Sequence, residues 1–268
     1  MNNNPIGIFD SGIGGMTVVK AIMDELPNES IVYFGDLAHL PYGSKSEKAI
    51  KEFSLSNIRF LIEKNVKMIV VACNTASSIA LNEIKQHTDL PVIGVIIPGA
   101  EAAVENSNSF KIGIIGTPRT VLSGAYEKAI KNIKPQSNVY QKATPLLVPL
   151  IEENWINREA TRLVIREYIN YFVNGKAIDT LVLGCTHYPL IKNVIEEEMP
   201  GVKIVDSAYS TALKVKEILL KQRMSAEINT ARYQFYVNDI TESFEELAYR
   251  IIGNSITITN VSEIQEQI

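Results

Sequence analysis

Short runs of consecutive apolar residues alternate along the chain with longer segments in which apolar residues recur at helical spacing. The runs are typical of buried strands, and the segments between them are typical of amphipathic helices. The predicted strands cover residues 6–10, 30–35, 67–72, 91–96, 111–116, 139–143, 180–184 and 202–206. Strands without polar alternation are covered on both faces, so the pattern predicts an α/β protein with mostly parallel sheets.

Local signals place several helices between these strands. After the first strand, apolar residues recur at helical spacing until Pro27 ends the segment. Ser44 and Glu47 have the spacing of a capping box, which predicts a helix from there to about Asn65. Beyond residue 210 the pattern predicts a helix, a strand at 233–237, a helix near 242–252 and the alternating stretch SITITN.

The two series of predicted strands resemble each other. IGIFDSGIGGMTVV from Ile6 aligns with IGIIGTPRTVLSG from Ile112, and MIVVACNTAS from Met68 aligns with TLVLGCTHYP from Thr180. Buried strands can be similar by chance, but here a cysteine also falls at the same place in both halves. We therefore expect two similar domains that face each other across a cleft, because ligands of open α/β sheets bind outside the carboxyl ends of the strands.

Composition excludes several classes of protein. The chain has 26 basic and 30 acidic residues, a net charge of −4, and no basic stripe interleaved with aromatic residues, so we expect no nucleic-acid partner. Hydrophobic residues make up 46% of the chain, yet no apolar stretch approaches the roughly 20 residues of a membrane span. The first residues do not have the pattern of a signal peptide, and we expect a cytoplasmic location without membrane contact.

The two cysteines are the main candidates for chemistry. Cys73 and Cys185 each follow a predicted strand, and each is followed by polar residues, Asn74-Thr75 and Thr186-His187. A cysteine in this place also suits a small buried hydrophobe, but a core position does not need the polar neighbours. Two opposed thiols can act as base and acid on the two faces of a carbon that carries an acidic hydrogen. This pattern favours a racemase or an epimerase.

Other uses of these residues remain open at this stage. Cys185 and His187 could form a nucleophilic pair for acyl transfer, although such a pair leaves Cys73 unexplained. A metal site of Cys185, His187 and Asp10 has no supporting spacing. A non-catalytic domain that binds an acidic amino acid is a further alternative, but it has no need of two thiols.

The stretch FDSGIGG joins the first strand to its helix. Its glycines let the backbone approach a ligand, and a helix N-terminus favours an anion, although a tight turn alone also explains them. Thr17 stands where a dinucleotide fingerprint requires its third glycine. Asp10 is the informative residue, since a carboxylate at a strand end is costly to bury unless it orients a group or receives a proton.

The motifs DSGIGG, PYGS, ACNTAS, PLIEE and GCTHYPL, in this order, resemble those of the glutamate racemases, cofactor-independent enzymes of bacterial cell-wall synthesis. The resemblance implies interconversion of L- and D-glutamate without pyridoxal phosphate or metal. It also implies two pseudo-twofold-related α/β domains, 1–98 plus 208–268 and 99–207, with the active site between them. Members of the family are commonly homodimers.

The same resemblance implies roles for individual residues. Cys73 is expected to exchange the proton of the D-isomer with help from Asp10. Cys185 is expected to serve the L-isomer with help from His187 and Glu152, although Glu152 also suits a solvated helix start. The residues expected to hold the substrate are Asp10, Ser11, Pro41, Tyr42, Gly43, Asn74, Thr75, Thr186 and His187.

Two positions bear on how close the resemblance is. Thr144 stands where many members of the family carry a further cysteine, which is not one of the acid–base pair. His187 favours the glutamate enzymes, because the similar aspartate racemases tend to have an acidic residue there. Aspartate racemase is accordingly the nearest alternative.

Overall fold

The computed structural model describes residues 2–227, 231–253 and 256–262. Within them the chain forms two sheets, and the recorded strand pairs are parallel. The strands are β1 (Ile6–Asp10), β2 (Ile31–Gly35), β3 (Met68–Val71), β4 (Val92–Gly94), β5 (Lys111–Gly116), β6 (Asn138–Ala143), β7 (Thr180–Gly184), β8 (Lys203–Asp206), β9 (Tyr233–Val237) and β10 (Ile258–Asn260). The predicted α/β fold with parallel sheets is confirmed.

The two sheets share one strand order. The first runs β10-β9-β2-β1-β3-β4 and the second runs β6-β5-β7-β8, so the last four strands of the first sheet match the whole of the second. The register agrees as well, because Ile6 pairs with Met68 and Ile112 pairs with Thr180. The repeat in the sequence thus corresponds to equivalent strands, with β1 matching β5 and β3 matching β7.

The C-terminal part of the chain extends the first sheet. β9 pairs with β2, and β10 pairs with β9. The alternating stretch SITITN contributes β10, while its first residue, Ser255, lies outside the described residues. The exact division of the chain into two domains stays a prediction.

Helices cover the sheets. They are α1 (Gly15–Glu25), α2 (Glu47–Glu63), α3 (Asn74–Ile79), α4 (Leu81–Gln86), α5 (Ile96–Asn106), α6 (Pro118–Leu122), α7 (Ala125–Ile133), α8 (Leu147–Glu152), α9 (Glu159–Val173), α10 (Lys192–Glu198), α11 (Ser207–Lys221) and α12 (Glu242–Ile252). Short 3₁₀ turns cover Leu37–His39, Tyr42–Ser44 and Tyr188–Ile191. No helix in the described ranges combines the length and the apolar character that a bilayer crossing demands.

Four helices were not predicted from the apolar pattern, namely α3, α4, α5 and α10. α3 and α4 are short, at six residues each. α5 begins directly after β4, and the apolar run continues from the strand into the helix. The strand predicted at 91–96 therefore ends at Gly94, and Pro98 lies in the first turn of α5, where proline is tolerated.

The capping box predicted from Ser44 and Glu47 is wrong. The N-cap of α2 is Ser46, whose hydroxyl oxygen accepts a hydrogen bond of 3.2 Å from the backbone N–H of Ala49. Glu47 is the first residue of the helix rather than its third. Ser44 belongs to the preceding 3₁₀ turn, where its hydroxyl donates to the Pro41 carbonyl at 3.3 Å, so it is not available as a cap.

An apolar core joins the two halves. Ile8 and Phe9 of β1 contribute to different clusters because successive side chains of a strand point to opposite faces of its sheet. One cluster continues from Ile8 through Leu183 of β7 and Val215 of α11, so it includes parts of both sheets. The two sheets therefore share part of one apolar core.

Asp179 connects the starts of two strands in the second sheet. Its side chain accepts hydrogen bonds from the Ser107 hydroxyl at 2.5 Å and from the backbone N–H groups of Asn108 and Ser109 at 2.8 and 2.6 Å. Burial acts to raise the pKa of Asp179, but the hydrogen bonds of Ser107 and Ser109, with that of Thr180, lower it from 3.8 to about 2. The carboxylate form is therefore the one that stabilises this loop.

We expect Asp179→Asn to reduce the free energy of unfolding by about 2 kcal/mol, because hydrogen bonds to an ionised group are lost. Since the folded-state pKa is lowered from 3.8 to about 2, this contribution is present above pH 3.8 and is lost as the pH falls through 2. Urea unfolding at pH 7 and at pH 3 measures both effects. Asp89→Asn, the same change at an exposed position, is the control; an equal loss in both variants would contradict the assignment.

Candidate active site

A cavity of about 350 Å³ is lined from both halves of the molecule. Ser11 and Cys73 lie at the carboxyl ends of β1 and β3, and Thr117 and Cys185 lie at the carboxyl ends of the matching strands β5 and β7. The predicted site residues that line it are Ser11, Pro41, Tyr42, Gly43, Cys73, Asn74, Thr75, Glu152, Cys185, Thr186 and His187. The structure thus brings both thiols to one cavity, as the parallel-sheet argument requires.

Cys73 is almost completely buried at the start of α3. Its sulfur accepts a hydrogen bond from the backbone N–H of Ala76 at 3.4 Å and lies 3.6 Å from the Ser11 hydroxyl oxygen. Burial, and after it the charge of Asp10, raise the pKa of the Cys73 thiol to about 12 against the opposing contacts with Ala76 and Ser11. At neutral pH this thiol carries its proton, so it can serve as an acid.

Cys185 faces a histidine–carboxylate pair. Its sulfur lies 3.7 Å from Nδ1 of His187, and Nε2 of the same ring lies 2.9 Å from Oε1 of Glu152. Burial lowers the pKa of His187, but hydrogen bonds to Cys185 and Glu152 raise it more, so the net pKa lies well above 6.5. In an imidazolium both ring nitrogens are donors, so His187 can donate to the sulfur and to Glu152 together.

Asp10 does not line the cavity, although it was predicted to hold the substrate. It is fully buried, and its Oδ2 accepts hydrogen bonds from the backbone N–H groups of Gly12 and Gly15 at 3.0 and 2.9 Å. Thr186 donates to its Oδ1 at 3.4 Å. Burial raises the pKa of Asp10, while the charge of His187 and the backbone donors lower it. The anion at the start of α1 is therefore Asp10 itself rather than a ligand.

Glycines of the first half allow the second half to pack closely. A Cβ atom added to Gly14 would lie 2.3 Å from the Thr186 hydroxyl oxygen and 2.6 Å from Nδ1 of His187. A Cβ atom added to Gly43 would lie 2.8 Å from Cβ of Thr117. Both contacts are shorter than side chains tolerate, so these glycines let each half reach the cavity wall of the other.

Hydrogen-bond donors gather beside Cys73. The phenol of Tyr126 donates to Oδ1 of Asn74 at 2.7 Å, while Nδ2 of Asn74 has no hydrogen-bond partner in the described part of the chain. The hydroxyl oxygens of Thr75 and Thr117 are 2.9 Å apart, and that of Thr120 lies 3.0 Å from Thr117. This wall offers amide and hydroxyl donors of the kind that bind a carboxylate.

Tyr42 lines the cavity, and its hydroxyl group is already hydrogen-bonded to two other side chains. Its phenol donates a short hydrogen bond to Asp36 and accepts one from Nδ2 of Asn57 at 3.1 Å. Asp36 also contacts Nδ1 of His39 at 2.7 Å and accepts from Nδ2 of Asn238 at 2.6 Å. Burial and Asp36 together raise the pKa of Tyr42 far above its ordinary value. The loop of the PYGS motif is thereby anchored beneath the cavity wall.

Eight lining residues were not among the predicted site residues, and Thr117 and Thr144 are two polar ones. Thr117 occupies the same place after β5 that Ser11 occupies after β1, so the internal repeat itself carried the signal for it. Thr144 follows β6, and its hydroxyl lies 2.6 Å from the phenol oxygen of Tyr188. No three His, Cys, Asp or Glu side chains of residues 2–227, 231–253 and 256–262 form a group that could hold a metal ion.

Comparison with known proteins gives consistent results. Residues 16–214 match the Asp/Glu/Hydantoin racemase family. The chain is 46% identical over 254 residues to a protein of Neisseria meningitidis named glutamate racemase, covering 94% of each. It superposes on the glutamate racemase isoform RacE1 of Bacillus anthracis with a TM-score of 0.93 at 36% identity, covering 97% of this chain and 98% of that chain. A glutamate racemase of Francisella tularensis, solved in complex with D-glutamate, gives a TM-score of 0.90 at 38% identity and 97% coverage of both chains.

Proposed function

This chain belongs to the Asp/Glu/Hydantoin racemase family, and on that basis we propose that it interconverts L-glutamate and D-glutamate by proton transfer at the α-carbon. The observation that carries the proposal is the pair of thiols, Cys73 and Cys185, which lie at equivalent strand ends of the two sheets and line one cavity. The relatives named above indicate which substrate to expect, since they are glutamate racemases and one of them was solved with D-glutamate.

Binding relies on the polar wall of the cavity. We assign the α-carboxylate to donors that neighbour the two cysteines in the chain, Asn74, Thr75 and Thr186, because the α-carbon must lie within reach of both sulfurs. The other predicted binding residues are Ser11 and the Pro41–Tyr42–Gly43 loop. Fixing the substrate at both ends presents the α-hydrogen to one sulfur and the opposite face of the carbon to the other.

The reaction removes a proton from one face of the α-carbon and adds a proton to the opposite face. One sulfur, as thiolate, forms an S–H bond with the α-hydrogen while the C–H bond breaks, and its electron pair remains on the carbon and spreads into the α-carboxylate. The opposing thiol then gives its proton to the other face, so its S–H bond breaks and a new C–H bond forms. The two sulfurs exchange protonation states during each turnover, and the reverse reaction uses the same groups in exchanged roles.

Charged neighbouring side chains assist each sulfur in the proton transfer. His187 contacts Cys185, and Glu152 holds the imidazolium, so this pair can give a proton to the Cys185 thiolate or stabilise its charge. Asp10 acts on Cys73 through its negative charge. This charge disfavours the Cys73 thiolate, so the thiolate is a stronger base once it has formed. We assign Asp10 to this role through electrostatics rather than through contact with the substrate.

The wider role follows from the family. We propose that D-glutamate made by this enzyme supplies peptidoglycan synthesis in the cytoplasm and that the enzyme acts as a homodimer. The thiols themselves carry the proton in this mechanism, so the proposed reaction needs neither pyridoxal phosphate nor a metal.

Circular dichroism of L-glutamate in heavy water, with purified protein and no added cofactor, tests the function. We expect the optical signal to decay to zero and the α-carbon to gain deuterium. L-aspartate in a parallel cell is expected to keep its signal, and loss of that signal instead would assign an aspartate racemase. If both amino acids bind but neither loses its signal nor exchanges its hydrogen, the chain is a binding protein and the proposal is wrong.

A further inference from the structure

Asn74 presents an unusual pair of amide atoms. The side chain is 2% exposed, its Oδ1 accepts the hydrogen bond from Tyr126, and its Nδ2 has no partner among the residues that the structure describes. A buried amide donor without a partner is costly, so its presence in a native protein requires an explanation. Asn74 lines the cavity next to Cys73, so a bound substrate can supply the missing partner.

Tyr126 reaches Asn74 from the other half of the molecule. It belongs to α7, which follows the second sheet's β5, whereas Asn74 begins α3 of the first half. The Tyr126 side chain is fully buried, and a Cβ atom added to Gly99 or to Gly184 would lie 3.2 Å from its ring. The phenol therefore has little freedom to move away from Asn74.

The phenol decides which end of the amide faces the substrate. A tyrosine hydroxyl has one proton, and burial keeps that proton in place by raising the pKa of Tyr126 far above 10. Donation of this proton to Oδ1 leaves Nδ2 as the amide atom without a partner among the described residues. In the reversed orientation the carbonyl oxygen of Asn74 would face the substrate carboxylate and repel it.

We propose that Tyr126 is a positioning residue that orients the Asn74 amide so that Nδ2 donates to the substrate α-carboxylate. This inference rests on the proposed racemase function. Negative charge grows on that carboxylate when the α-hydrogen leaves, so a donor aimed at it is stronger in the transition state than in the bound substrate. The second half of the protein thereby orients the binding group of the first half.

Tyr126→Phe keeps the buried ring and removes only the hydroxyl. We expect kcat/KM to fall about tenfold for both isomers, with most of the loss in kcat, because the amide loses its fixed orientation. Asn74→Ala is expected to lower kcat/KM by about a hundredfold, because removing one hydrogen-bond donor from a developing anion commonly has an effect of this size. The double variant is expected to be no worse than Asn74→Ala within about twofold, because Tyr126 acts through Asn74.

Several outcomes would overturn the inference. A wild-type kcat/KM for Tyr126→Phe would contradict the positioning role. A further tenfold loss on adding Tyr126→Phe to Asn74→Ala would contradict it as well. If Asn74→Ala is too slow for circular dichroism, exchange of the α-hydrogen with heavy water, followed over days, closes the same cycle. Melting temperatures of all variants separate a folding defect from a loss of orientation. Inactivity of the wild-type protein would instead refute the racemase function, so the two failures are distinguishable.

Discussion

Replacing either Cys73 or Cys185 by alanine is expected to abolish racemisation of glutamate in both directions. Each substitution removes the only thiol on one face of the α-carbon, and a proton then cannot be delivered to that face. A positioned acid or base contributes about 10²- to 10⁴-fold, so we expect kcat to fall by at least about 10³-fold. Chiral chromatography of the products measures racemisation directly.

The two variants are expected to differ in exchange of the α-hydrogen with heavy water. With Cys73 removed, Cys185 can still take the proton of L-glutamate and return deuterium to the same face, so L-glutamate is labelled without inversion. Cys185→Ala is expected to show the opposite preference and to label D-glutamate. Equal labelling of both isomers by one variant would contradict the assignment of one sulfur to each face.

Melting temperatures and serine variants are the controls that separate a loss of chemistry from a loss of folding. Both sulfurs are buried and small, so their removal is expected to leave the fold intact, and unchanged melting temperatures would confirm this. Cys73→Ser and Cys185→Ser keep the shape of each side chain but replace the thiol by a much weaker acid. If either serine variant racemised glutamate at close to the wild-type rate, the two-thiol mechanism would be refuted.

Much of the fold could be predicted because parallel sheets impose simple rules on the sequence. A buried strand such as β7 needs a run of apolar residues, and its carboxyl end meets the carboxyl end of every neighbouring strand. Cys73 and Cys185 could therefore be assigned to one edge of each sheet without coordinates. The matching strand orders of the two sheets explain why the repeat was visible in the sequence.

The remaining features depend on contacts that local patterns do not record. α5 was not predicted because its apolar start continues the run of β4. Asp10 was expected to hold the substrate, but it does not line the cavity, and its carboxylate accepts hydrogen bonds from the backbone N–H groups of Gly12 and Gly15. The contact between Asn74 and Tyr126 joins residues 52 positions apart and exists only because the two halves are packed together.

A buried ion pair far from the proposed substrate provides the largest expected effect on stability. Lys67 immediately precedes β3, the strand that leads to Cys73, and its side chain is 0% exposed. Its ammonium group forms a short ion pair with Glu29 and donates to the carbonyl oxygens of Asn2 and Met224, each at 2.8 Å. Glu29 also accepts from the backbone N–H of Ala226 at 2.8 Å. All three protons of the ammonium group are therefore used.

We expect Lys67→Met to reduce the free energy of unfolding by about 3–5 kcal/mol. The methionine fills similar space, but it leaves the Glu29 carboxylate buried without a counter-charge and two carbonyl groups without donors. A domain is commonly stable by only about 5–15 kcal/mol, so a large share of the stability would be lost. Urea unfolding followed by circular dichroism gives the difference.

Adding Glu29→Gln to Lys67→Met is expected to recover part of the loss, because the double variant has no unpaired buried charge. The exposed pair Lys20–Asp24 is the matched control, and Lys20→Met there should change the free energy of unfolding by less than about 1 kcal/mol. If Lys67→Met cost no more than Lys20→Met, the buried pair would have no special role. Because Lys67 fixes the amino end of β3 and Cys73 lies just beyond its carboxyl end, the loss in stability should also lower the temperature at which racemase activity is lost.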